Sequence, residues 1–292
     1  MFLQRIKSFL QARQEILGIN ARNLDLIYTH NDRKYFINVD DKILCKSLLA
    51  QNGIPTPATY HVISGPGELA EWGEKILGVD EFVIKPNKSF GGQGIILIHR
   101  KDSVYRSSDG DINREEIDFH IKQILNGAFS LDNTSDIAFL EQRLHNHQGI
   151  KTFLPPEIDG VADIRLIYQL ERPVMAMIRI PTRESGGKAN LHQGGIGIGI
   201  DLSTGKTLDG CYRNDIISTH PETGLPLAGM TIPFFAEMLG VGSRISEIVK
   251  LGYIGVDFVV DESAGPMVLE VNARPGLNIQ IANQCGLKER LV

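Results

Sequence analysis

The sequence predicts an α+β protein in which antiparallel hairpins are interspersed with helices. Three observations point there. A strand at 82–85 runs into a glycine-rich loop and then a second strand at 95–99, not into the helix that follows a P-loop or dinucleotide-binding loop. Apolar strands at 254–260 and 266–272 are joined by the short turn Asp261–Gly265. Strands at 162–170 and 173–180 form another antiparallel-looking pair.

Composition narrows the function classes. With 292 residues, 42% hydrophobic and 22% charged, the chain is an ordinary globular protein long enough for two lobes. A net charge of -5 supplies no broad basic footprint, so neither nucleic acid nor an anionic membrane is an expected partner. Cys45, Cys211 and Cys285 lie too far apart for a zinc motif or a disulfide framework, which suits a reducing cytoplasm. Residues 1–19 place apolar side chains at helical spacing, but charges interrupt them. They read as an amphipathic helix packing on the protein or a partner, not as a membrane span.

Along the chain, residues 41–52 put Ile43, Leu44, Leu48 and Leu49 on one helical face, and Gly53 ends the helix. Ile54 to Pro57 must run extended, because each proline biases its predecessor away from helix. A helix at 67–77 precedes the 82–85 strand. Residues 101–135 are polar around one amphipathic helix and read as an insertion. Strands follow at 137–141, 162–170 and 173–180, and GGIGIGI at 194–200 reads as a close-packed strand. A helix at 235–251 leads into the last two strands.

Two clusters carry chemistry. In FVIKPNKSFGGQGI, Lys85 closes a strand, and Ser89, Gly91, Gly92 and Gly94 form a loop whose N–H groups could approach a phosphate. A solvated hairpin loop gives the same pattern. In the second cluster, Glu270 and Asn272 share a strand face. A turn centred on residues 263–264 sets Asp257 opposite Glu270. Two carboxylates and an amide oxygen on otherwise apolar strands would be costly to bury without a cation, and hard oxygen ligands suit magnesium.

Together these clusters resemble the ATP-grasp superfamily, especially RimK-type glutamate ligases. The matching pieces occur in order from about Asp40: DK with GIPTP, VIKP with its glycine loop, FLEQRL, DIR, NLHQGG, GVDF and EVNARPGL. The resemblance implies an ATP-grasp fold of two lobes, each an antiparallel sheet with helices, holding nucleotide between them. The expected division is a helical segment at 1–39, a glycine-loop lobe at 40–145 and a metal-site lobe at 146–292. One departure is expected: members of the family usually carry a longer domain ahead of the grasp fold, whereas about 40 residues precede Asp41 here, so the N-terminal extra domain reads as short or absent and a homo-oligomer, another partner or a large substrate would fill its place.

By position, the resemblance gives Lys42 and Lys85 the ATP phosphates, with Ser89–Gly94 closing over them, and gives Glu141, Gln142 and Leu144 the adenine. Asp257, Glu270 and Asn272 match metal ligands for two magnesium ions, with manganese able to substitute and Glu270 bridging. Arg165 and Arg179 would stabilise developing negative charge. Asn190 resembles a phosphate or metal contact, and Lys188 stands where relatives often have arginine. Arg274 would flank the carboxylate pocket, and His192 would be structural or substrate-orienting. The implied reaction is carboxylate–amine ligation through an acyl phosphate, the acid and amine being an amino acid, peptide or protein end. A phosphotransferase or a non-catalytic nucleotide-binding regulator is the alternative.

Overall fold

The computed structural model describes residues 15–89, 91–101, 104–108, 110–130 and 133–292. Residues 1–14 of the expected N-terminal helix lie outside this set. The chain divides into a larger unit (Met1–Asp40, Leu44–Pro55 and His145–Val292) and a smaller one (Asp41–Ile43 and Thr56–Leu144).

The smaller unit is built on six strands: β1 (Thr59–Ile63), β2 (Glu81–Pro86), β3 (Ile96–Lys101), β4 (Val104–Ser107), β5 (Gly110–Ile112) and β6 (Ala138–Gln142). Their order is β1-β6-β2-β3-β4-β5, and every neighbouring pair is antiparallel. Helix Pro66–Lys75 starts at a proline, whose missing N–H costs nothing there. Helix Arg114–Leu125 starts at a capping box between Asn113 and Glu116. The second helix buries Ile117, Ile121 and Ile124, one stripe at helical spacing, into a core with Trp72, Phe82, Ile84, Ile98 and Leu140. Expected strands at 82–85, 95–99 and 137–141 are present. The region read as an insertion instead supplies β4 and β5 at the sheet edge. Their half-exposed pattern gives little apolar signal, although Tyr105 of β4 reaches the Trp72 ring at 5.8 Å.

The larger unit carries β7 (Asp163–Gln169), β8 (Arg172–Ile180), β9 (Ile196–Ile200), β10 (Thr207–Tyr212), β11 (Asp215–Ile217), β12 (Tyr253–Asp261) and β13 (Gly265–Asn272). Their order is β11-β10-β9-β8-β7-β12-β13, again antiparallel throughout. Helix Phe235–Val249 lies on one face, where the buried Tyr168 hydroxyl donates to the carbonyl oxygens of Met238 and Leu239. Period two then turns Asp163 and Arg165 to the opposite face. All five residues of β9 are buried. Helix Lys42–Gln51 sends Cys45 and Leu49 into this unit's core. The extended stretch after it docks on β13, where Val268 N–H donates to Pro55 O at 2.9 Å. Asn31, 4% exposed, ties the N-terminal region to the strands. Its side chain donates to Tyr253 O (2.8 Å) and Ala273 O (3.3 Å) and accepts from Tyr253 N–H (2.8 Å).

Candidate active site

In the smaller unit, β2 ends at Lys85–Pro86, so the lysine stands where the chain leaves the sheet for the glycine loop. Its ammonium pairs with Glu141 of β6, and both groups are buried. Lys42 Nζ donates to Ser89 O (2.5 Å) and lies 3.4 Å from Asn87 O. Asn87 is fully buried; its Oδ1 accepts from Ile43 N–H (2.9 Å), while its Nδ2 has no partner among the described residues. A buried donor without an acceptor is costly, and a phosphate oxygen is a group that would satisfy it. Asn87 carries no motif signal of its own and was not anticipated.

Gly91, Gly92 and Gly94 all adopt positive φ (65°, 78° and 72°). At Gly94 a Cβ would also lie 2.6 Å from the Phe129 ring and 2.8 Å from Pro86. Gly94→Ala is therefore expected to destabilise the protein by about 1–3 kcal/mol, measured by chemical denaturation. Gly91→Ala, with open space around it, should cost less. The Gln142 side chain and backbone N–H both bond Ala58, and Leu144 is buried.

In the larger unit, strand register assembles a charged row. Asp257 pairs with Glu270 across β12–β13 and with Arg165 across β12–β7, while Asp163 pairs with Arg179 across β7–β8. Arg165 binds Asp257 in bidentate fashion, Nε to Oδ1 at 2.7 Å and Nη2 to Oδ2 at 2.6 Å. Arg179 bridges the two aspartates, with Nε 2.5 Å from Asp163 Oδ1 and Nη2 3.0 Å from Asp257 Oδ2. Asn272 Nδ2 lies 3.3 Å from the same Oδ2.

Burial works against ionising Asp257, but Arg165 and Arg179 outweigh it and hold the carboxyl below its usual range. For Asp163 burial wins over Arg179, with the nearby Asp257 charge adding to it, and the pKa is raised to about 6. Because this value exceeds the ordinary 3.8, the folded state binds the extra proton, and this group's contribution to stability declines as pH rises through that window. Asp163→Asn should remove the decline: its melting temperature relative to the parent should climb between pH 3.8 and about 6. A pH-independent difference would contradict the assignment. Asp163 could have been found from sequence, since it lies two residues before Arg165 on the same strand face.

The remaining candidates are placed as follows. Asn190 caps a short turn, its Oδ1 accepting from His192 N–H at 3.0 Å, and Lys188 is exposed nearby. Arg274 is half exposed; its guanidinium stacks 4.5 Å over Phe36 and lies 3.4 Å from Asp40. Asn278 and His192 meet in a separate cavity.

The face has the donor chemistry for a hard cation. Asp163, Asp257 and Glu270 against Arg165 and Arg179 leave one formal negative charge. Asp257 Oδ2 already accepts from three nitrogens, whereas Oδ1 accepts one and keeps a lone pair. Among the described residues no group of three His, Cys, Asp or Glu is arranged to hold a metal alone. Magnesium takes one or two carboxylates and completes its shell with water and substrate phosphates.

The model of the family described as sugar-transfer associated ATP-grasp matches residues 21–292. No curated protein sequence matches. Among solved structures, Rhizobium etli pyruvate carboxylase is 11% identical with a TM-score of 0.53, covering 91% of this chain and 18% of that one. D-alanine–D-alanine ligase from Coxiella burnetii is 12% identical with a TM-score of 0.46, covering 88% and 52%. The ATP-grasp ligase PsnB, solved with a precursor variant, Mg and ADP, is 13% identical with a TM-score of 0.43, covering 85% and 53%. The chain thus spans about half the length of these two ligases. No helix among the described residues is long and apolar enough to cross a membrane.

Proposed function

The chain belongs to the sugar-transfer associated ATP-grasp family, and we propose from that premise that it is an ATP-dependent ligase joining a carboxylate to an amine through an acyl phosphate. The observation that carries this reading is the row Glu270–Asp257–Arg165 with Arg179 and Asp163 beside it. It sets carboxylates, which we assign as cation ligands, and two fixed guanidinium groups on one sheet face. Bound magnesium would neutralise phosphate charge there and polarise the transferred phosphoryl group, held by Asp257, Glu270 and Asn272.

Arg165 and Arg179, locked by Asp257 and Asp163, need no reorganisation to stabilise charge developing on the acyl phosphate and the later oxyanion. Lys42 and Lys85 are assigned the nucleotide phosphates, with Asn87 Nδ2 as a further donor. An ammonium has three donors, so Lys85 can keep Glu141 while binding a phosphate oxygen. The backbone of Ser89–Gly94 closes over the phosphates and excludes water from the intermediate. Glu141, Gln142 and Leu144 remain the assigned adenine neighbours.

The finer assignments rest on the resemblance to RimK-type ligases, on cysteine usage and on the short segment ahead of Asp41. They comprise an acidic or amino-acid substrate, two magnesium ions with manganese as substitute, a cytoplasmic setting where ATP is supplied, and an oligomeric or partner contribution to the substrate site. Screening amino acids and peptides for substrate-dependent ADP release tests the reading. Release that requires both an acid and an amine supports it. Phosphate transfer that needs no amine would favour a phosphotransferase, and the absence of ATP consumption a nucleotide-binding regulator.

A further inference from the structure

The larger unit carries a cavity of about 500 Å³ on the same sheet side as the charged row, within the roughly 300–1,000 Å³ typical of small-ligand sites. Register fixes its position. Asp163, Arg179, Gly197 and Cys211 pair successively across β7, β8, β9 and β10, so these positions share one face. Cys211 lines the cavity two strands from Arg179, roughly 10 Å away at ordinary strand spacing.

The rim is built at some conformational cost. Glu184 and Arg213 face each other at 2.7 Å, and the Tyr212 hydroxyl donates to Glu184. Arg213 and Asn214 form the two-residue tip of the β10–β11 hairpin with φ of 51° and 72°. That geometry favours asparagine and glycine, and an arginine in it is strained. Residue 194 is a glycine at φ 95°, and a Cβ there would lie 2.8 Å from the Glu184 Cγ. The other polar walls, His192, Gln193, Asn214 and Asn278, are amides and an imidazole.

We infer that this cavity holds the amino-acid substrate of the ligation, a zwitterion whose α-carboxylate takes Arg213 and whose α-ammonium takes Glu184, which leaves a side-chain carboxylate or amine as the group that reacts. This rests on the ligase reading above. An α-amino acid carries both charges on one carbon, so it exchanges with the pre-formed pair in a single step. A lone anion would meet Glu184, a lone cation would meet Arg213, and a neutral sugar would use neither. The side chains of the pair are 64% and 39% exposed. An ion pair this open contributes little to stability, so a ligand can part it. The amide-rich walls favour a polar side chain on the ligand.

The test is calorimetric titration of the full chain, without nucleotide, with the twenty standard amino acids, then with the decarboxylated and N-acetylated forms of the best binder, and with glucose and glucosamine. The inference expects saturable binding of at least one amino acid, weakened about 10-fold or more by removing either charge from the ligand or by Arg213→Gln or Glu184→Gln. Both variants should retain the parent melting temperature and ATP affinity. Absence of amino-acid binding up to about 10 mM would overturn it, as would an affinity unmoved by Arg213→Gln or binding of a neutral sugar in preference. Failure of the parent protein to bind any amino acid while it binds ATP condemns the cavity alone. Amino-acid binding without any ATP binding condemns the ligase reading alone.

Discussion

Asp257→Ala is expected to abolish ATP turnover and to destabilise the protein by about 3–5 kcal/mol, as removing one partner from a buried ion pair does. Asp257 is 2% exposed and receives Arg165 through two nitrogens and Arg179 through a third. Without it both guanidinium groups keep their burial and lose their shared counter-charge. The sequence alone suggests a metal ligand whose removal leaves the fold intact; the structure gives the residue a second duty. Glu270→Ala separates the two duties. Glu270 is only partly buried, and its loss should stop turnover at a much smaller stability cost. Denaturant midpoints and ADP release measured on both variants check this. Normal ADP release in either would remove the metal assignment, and parent-like stability of Asp257→Ala would remove the structural one.

Lys85→Ala is expected to weaken ATP binding about 10-fold or more, the usual scale for losing one charge-assisted contact. It also removes the ammonium paired with Glu141, which is 2% exposed, so the single variant loses stability too. The double variant Lys85→Ala with Glu141→Gln supplies the control. Neutralising that buried carboxylate should recover stability, while ATP affinity stays low. Unchanged ATP affinity by calorimetry would make the glycine loop a plain hairpin.

The strands that hold these residues were legible because their patterns are local. A turn centred on residues 263–264 sets Asp257 opposite Glu270 by count; in the structure the hairpin closes with Asp261 against Gly265, and a register shift between Asp257 and Phe258 is what brings Glu270 opposite Asp257. The convergence of Arg165 and Arg179 on Asp257 was not legible, because it depends on the strand order β8-β7-β12, which joins segments about 80–90 residues apart. The short strands β4, β5 and β11 were missed for a different reason. They are edge or near-edge strands with exposed positions, and edge strands need little apolar periodicity. The Glu184–Arg213 pair was likewise invisible, since it joins the loop before β9 to a hairpin tip 29 residues on.

The central claim, ligation through an acyl phosphate, is tested most directly by isotope transfer. Full-length protein is incubated with magnesium, ATP, an amine acceptor and an acid found to stimulate ADP release, the acid labelled with oxygen-18 in its carboxylate. Attack of the carboxylate on the γ-phosphorus, followed by displacement by the amine, leaves one carboxylate oxygen in the released phosphate. The expected result is phosphate carrying one labelled oxygen for each amide formed. Unlabelled phosphate accompanying amide formation, or AMP in place of ADP, would contradict it.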